Sequence, residues 1–192
     1  MVDSWNEWGL LAIAAKGQSD VEFNGAIPTD SLEIDSGDKD FDIIALLNGG
    51  RLEKPTPEGE TTITFDAYFT DLDAASNSGI LQLFHTTSSN WDASQPLEVS
   101  NSRNRDQFRV AILWTEDTTV SSATAQVPAG SEALRCIIAD ARLISAKMSF
   151  GDGILKTTVK FKVAPFKKDG TSNITWQSTD GTATLDALAS YS

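Results

Sequence analysis

Apolar and polar residues alternate with a period of two along several stretches of the chain, the mark of strands with one buried and one solvated face. In GDGILKTTVKFKV, Leu155, Thr157, Val159, Phe161 and Val163 fall on one side, and Lys156, Thr158, Lys160 and Lys162 on the other. TTITFDAYF sets Ile63, Phe65, Ala67 and Phe69 against Thr62, Thr64, Asp66 and Tyr68. DQFRVAILW places Phe108, Val110, Ile112 and Trp114 on one apolar phase, which makes Trp114 a core residue. The run ALRCIIADARLISAKMSF is longer, and a bend near Ala139–Ala141 is predicted to divide it into two strands. Its second part, Arg142–Phe150, and Leu155–Val163 flank Gly151-Asp152-Gly153 and read as an antiparallel hairpin. VEFNG and SLEID offer shorter strands near the N-terminus.

Two stretches depart from this alternation. Residues 70–84 are rich in helix formers, with Leu72, Ile80, Leu83 and Phe84 able to share a face and Thr70 or Asp71 able to cap, so a single helix is predicted there. The other is an arm before Asn48-Gly49, a tight-turn signal. Phe41, Ile43, Ala45 and Leu47 lie on one phase and Asp42, Ile44 and Leu46 on the other, so both faces are largely apolar. Such an arm is either a central strand or is covered by another subunit, because an open apolar edge aggregates. Residues 85–105 read as a polar connection, and the tail TLDALASYS as a last short helix or strand. The whole reads as one mainly β domain: a two-sheet antiparallel sandwich or barrel with one flanking helix and a long hairpin loop over 31–60, preceded by an N-terminal segment 1–20.

Charge narrows the function. Fifteen Lys and Arg against 27 Asp and Glu give a formal net charge of -12, which disfavours tight binding to nucleic acid phosphates. A row of lysines on an acidic chain therefore needs a separate explanation. The single cysteine, Cys136, forms no internal disulfide and sits in an apolar run, as a buried structural thiol would. The lone His85 lacks partners for a base or a metal site. Asp35, Asp38, Asp40 and Asp42 miss the order and closing glutamate of a calcium loop and read as an acidic turn. No nucleophile motif surrounds any serine or threonine. Neither a catalytic residue, a metal nor a cofactor is expected, and GLLAIAA is too short to span a membrane. Five tryptophans keep a carbohydrate-binding β-sandwich open as an alternative.

The order of these pieces, and above all NGGRLEKPTPEGETTITFDAYF and the closing GDGILKTTVKFKVAPFKKDG, resembles the major tail proteins that build the tail tube of tailed viruses. Their superfamily includes the tubes of contractile injection and type VI secretion machines. The resemblance runs from about Val21 to Ser178. It implies a β-sandwich that assembles into hexameric rings stacked into a tube, without enzymatic activity. The implied partners are further copies, tape measure, tail terminator and distal tail proteins, with viral DNA passing through an electronegative lumen without specific binding. The implied location is the virion tail, assembled in the host cytoplasm. The stacking interface falls on Phe41, Ile43, Ile44, Leu46, Leu47, Asn48, Gly49, Gly50, Arg51 and Leu52. Lys156, Lys160 and Lys162 then face a neighbouring subunit or the outer wall, since a lysine-lined lumen would hold DNA. A tube that carries effectors in a secretion apparatus is a further alternative.

Overall fold

A computed structural model of the 192-residue chain describes residues 8–16, 22–26, 31–36, 41–45, 51–55, 59–68, 107–151 and 154–191. Their regular structure is all β: β1 (Trp8–Ala15), β2 (Glu22–Ala26), β3 (Glu33–Asp35), β4 (Phe41–Ala45), β5 (Arg51–Pro55), β6 (Thr61–Tyr68), β7 (Phe108–Thr115), β8 (Glu132–Gly151), β9 (Ile154–Val163) and β10 (Ile174–Asp180). Eight strands join in one antiparallel sheet in the order β2-β1-β7-β8-β9-β6-β3, with β10 paired to β8, and β4 and β5 form a separate two-stranded ribbon.

The predicted alternations in TTITFDAYF and GDGILKTTVKFKV hold where side chains are described. Thr61, Ile63, Phe65 and Ala67 are buried along β6, and Thr157, Val159, Phe161 and Val163 along β9. The apolar ones among them join Leu11, Ile13, Phe108, Val110, Ile112 and Cys136 in one cluster on the inner face. Phe161 sits at its centre, with ring centroids 6.2 Å from Phe65 and 5.7 Å from Phe108. A second cluster lies on the opposite face of β1, β7 and β8, where Leu10, Ala12, Ala111, Leu113 and Ala133 meet Val120, Val127 and Leu185. β1 is therefore buried on both faces. That explains why GLLAIAA is uninterrupted by polar residues, and why the alternation rule does not find it.

The expectation of two face-packed sheets gives way, among the described residues, to a single curled sheet. Over β1, β7 and the start of β8 its second face is covered instead by the 117–131 connection and the C-terminal segment. The predicted helix over 70–84 lies outside the described residues. ALRCIIADARLISAKMSF is one continuous strand of 20 residues with its neighbours, not two. The expected bend at Ala139–Ala141 is a bulge: Phe108 opposes Ala141 and Val110 opposes Ile138, so β8 carries one extra residue there. At the same place β8 exchanges partners, pairing with β10 before it and β9 after it. A second extra residue, Ile144, falls between Leu143↔Phe161 and Ser145↔Lys160.

The tail is neither helix nor strand. It is an extended strap held by Val127–Leu185 backbone bonds of 2.9 and 3.0 Å and by Leu188 N–H donating to Thr124 at 2.9 Å. Beneath it Arg135, fully buried, donates from Nη1 to the Asp186 carbonyl at 2.7 Å and from Nη2 to the Ala125 carbonyl. Burial lowers the pKa of that guanidinium, because the charged form is desolvated. Tyr191 Oη donates to Asp140 at 2.8 Å and closes the strap.

Candidate assembly surface

Residues directly opposite one another in antiparallel strands project to the same face. The outer face of β3, β6, β9 and β8 can therefore be read row by row from the register. One row is Asp35, Thr62, Lys162, Arg142; the next is Glu33, Thr64, Lys160, Ser145; a third is Asp66, Thr158, Lys147. Lys156 opposes Ser149 beyond them. Acid gathers at the β3 edge and base on the β8–β9 hairpin.

Two of the three predicted lysines have partners within the chain. Lys156 Nζ lies 2.9 Å from Asp66 Oδ2, and the Thr158 hydroxyl donates to Asp66 Oδ1 at 2.5 Å. The Thr158 hydroxyl, then Lys156, hold the Asp66 carboxyl below its usual range. Lys162 Nζ lies 2.8 Å from Glu60 Oε2, both exposed. Lys160 is exposed at the centre of the face, with Thr64 and Ser145 as its ladder neighbours. Lys147, which the alternation in β9 does not reveal, joins this face because the Ile144 bulge reverses the phase of β8. From there Ala146, Met148 and Phe150 turn inward and Ser145, Lys147 and Ser149 outward.

The same shift sends apolar side chains past the end of the inner cluster. Met148 is 53% exposed, Phe150 75% and the bulged Ile144 41%. At the other end of β8, Trp176 is 54% exposed and stacks on Trp114, with centroids 6.0 Å apart and planes 12° apart. Trp114 is thus half-buried beneath another ring and not a full core residue.

Of the predicted stacking arm, Phe41, Ile43 and Ile44 lie on β4 and Arg51 and Leu52 on β5, with Ala45 opposite Arg51. Leu46, Leu47, Asn48, Gly49 and Gly50 lie outside the described residues. The ribbon hydrogen-bonds to no other described strand.

The residues weighed for chemistry are placed as follows. Cys136 is buried and its thiol is pushed up to about 12 by desolvation, the state of an inert packing residue. Asn173, in an Asn-Ile-Thr sequence, is buried and its Nδ2 donates to the Ala164 carbonyl at 2.8 Å, so it is closed to glycan attachment. Among the described residues no group of three or more His, Cys, Asp or Glu is placed to hold a metal. His85 lies outside the described residues, as do Asp38 and Asp40. No helix among the described residues is long and apolar enough to cross a membrane.

The chain matches no family model and no curated protein. Among solved structures it is similar to the tube-terminating cap of the anti-feeding prophage, at 10% identity over 93% of this chain and 92% of that one, with a TM-score of 0.44. It is also similar to a chain of the sheath–tube complex of the extracellular contractile injection system PVC, in its extended state, at 11% identity over 88% of each chain and a TM-score of 0.44. A chain of the anti-feeding prophage baseplate aligns at 8% identity over 92% of this chain and 97% of that one, with a TM-score of 0.45.

Proposed function

We propose that this chain is a non-enzymatic structural subunit, a single tail-tube domain that self-assembles into hexameric rings stacked as the tail tube of a tailed virus. The observation that carries the reading is the arm 41–47, largely apolar in sequence on both phases, whose strand β4 lies in a ribbon hydrogen-bonded to no other described strand. A two-stranded ribbon is marginal in water on its own, and a covering from a neighbouring ring would satisfy it. The exposed Met148 and Phe150 add a second apolar surface in need of a partner. The net charge of -12 suits a lumen that repels DNA and lets it slide, with tape measure, terminator and distal tail proteins completing the tail. The same subunit in a contractile secretion apparatus would carry effectors, and the neighbouring genes separate the two uses.

The test is electron microscopy of the purified protein and of an Ile43→Asp/Leu46→Asp variant. The wild type is expected to form rings and tubes with a central channel, and the variant to fold but stop at single rings. Normal tubes from the variant would remove the arm from the interface. The stacked, half-exposed Trp114–Trp176 pair favours a second reading, a carbohydrate-binding module. A wild-type protein that stays monomeric and binds glycans would establish it in place of the tube.

A further inference from the structure

The lysines of the β8–β9 hairpin belong to a wider segregation of charge. Seven of the fifteen basic residues lie between Arg142 and Lys168, with Asp152 as the only carboxylate, so this segment carries +6. A total of -12 leaves -18 for the remainder of the chain. In the fold the separation becomes a gradient across one surface. The outer rows start at Glu33 and Asp35 on β3 and end at Lys160, Lys147 and Arg142 on β9 and β8. β3 pairs with β6 and with no other described strand, so the acidic end is also a sheet edge. Arg142 and Lys162 stand directly opposite each other, a like-charge pair that opposes folding unless anions lie close by. Glu60 serves Lys162 and Asp66 serves Lys156, but among the described residues neither Lys147 nor Lys160 has a carboxylate within ion-pair distance.

We propose that the basic face centred on Lys147 and Lys160 docks the acidic β3 edge, Glu33 and Asp35, of a second copy of this chain. Charge complementarity selects the occupant, because another copy presents an excess of acid almost anywhere except on this hairpin. The acidic and basic patches lie at opposite ends of one face, and a head-to-tail contact between them propagates from copy to copy, closing into a ring or running on as a filament. A two-fold pair would satisfy the same ends reciprocally, acid on base twice, and would stop at a discrete dimer without rings or filaments. The inference deepens the tube reading and rests on it for the biological use of the contact, but the contact itself can be measured independently.

The experiment is sedimentation velocity with parallel negative-stain microscopy on the full chain, at low salt and near 1 M NaCl, where screening shortens to about 3 Å. Three proteins are compared: wild type, Lys147→Glu/Lys160→Glu, and Glu33→Lys/Asp35→Lys. All four substituted side chains are exposed, and thermal melts verify that each variant folds. The expected result is wild-type association that weakens with salt and falls at least about tenfold in each double variant. Mixing the two variants restores it, since each then offers the charge the other lacks. Unchanged association in Lys147→Glu/Lys160→Glu would overturn this contact while visible rings would leave the tube reading standing. Charge-dependent oligomers without rings or tubes would do the reverse. A wild type that is monomeric at low salt would overturn both.

Discussion

Thr157 and Thr158 are adjacent on β9, and the structure assigns them opposite energetic signs. Thr157 is fully buried on the core phase, between Ala67 on β6 and Met148 on β8, and its hydroxyl has no hydrogen-bond partner among the described residues. A buried hydroxyl left unpaired costs about 1–3 kcal/mol. Valine has nearly the same shape and suits a strand at least as well, so Thr157→Val removes that penalty without opening a cavity. The expected gain is about 1–2 kcal/mol, or roughly 2–8 °C in Tm for a chain of this size. Thr157→Ser, which keeps the hydroxyl and deletes the methyl, is expected to lose about 1 kcal/mol. Thr158 faces outward and its hydroxyl is bonded to Asp66, so Thr158→Val is expected to destabilise by about 1 kcal/mol. Urea denaturation at neutral pH, with midpoints and slopes compared across the three variants, measures all of these. A Thr157→Val protein less stable than wild type by 1 kcal/mol or more would refute the reasoning, because the hydroxyl would then have to be satisfied in solution.

Asp66 supplies a pH signature. Its carboxyl is held below the ordinary value of 3.8, so the ionised form favours the fold. That stabilisation is complete above the unfolded pKa and disappears as pH falls through the lower folded value. Unfolding free energies from urea titrations of wild type and Asp66→Asn should thus differ by about 1 kcal/mol at pH 6, with the difference shrinking as pH falls below the ordinary carboxylate range. Cys136, fully buried, is expected to resist a thiol reagent such as DTNB at pH 8 in the native protein and to react within minutes once unfolded. Rapid native labelling would contradict its placement under the sheet. Tyr191→Phe removes the bond to Asp140 that closes the C-terminal strap and is expected to raise amide exchange at Leu185 and Leu188 while costing about 1 kcal/mol overall.

The parts of the fold that were legible in the sequence are those whose causes are local. A strand with one wet face writes its alternation into the chain, so β6 and β9 could be placed with the correct faces. β1 is buried on both sides, and a continuous apolar run carries no phase to read. β8 was divided in two because its polarity pattern breaks at Ala139–Ala141. The break is real, but backbone pairing continues through it on a new neighbour, and pairing partners are not encoded within the strand. An uninterrupted alternation along β8 would put Lys147 on the inner face; a single extra residue, Ile144, inverts everything after it. The burial of Arg135 is not legible in ALRCII, since the carbonyls it serves, Ala125 and Asp186, belong to segments that meet only in the folded chain. The lysine row itself was legible, whereas its counter-ions Asp66 and Glu60 required the β6–β9 register.

β9 and β10 lie end to end along one edge of β8, as if one strand had been cut and ten residues, 164–173, let out between the halves. The cut is sewn shut at its base: Asn173 N–H bonds Pro165 at 3.1 Å, its side chain bonds Ala164, and its carbonyl receives Ala139 N–H at 2.8 Å. Further out, Asp169 caps the turn through both the backbone and hydroxyl of Thr171. Because the sheet is closed beneath it, the tip at Lys168–Gly170 is a natural grafting point. A peptide tag or small reporter spliced there would lengthen only the loop, leaving strand pairing intact. If copies assemble, it would display the insert at regular intervals along the whole particle.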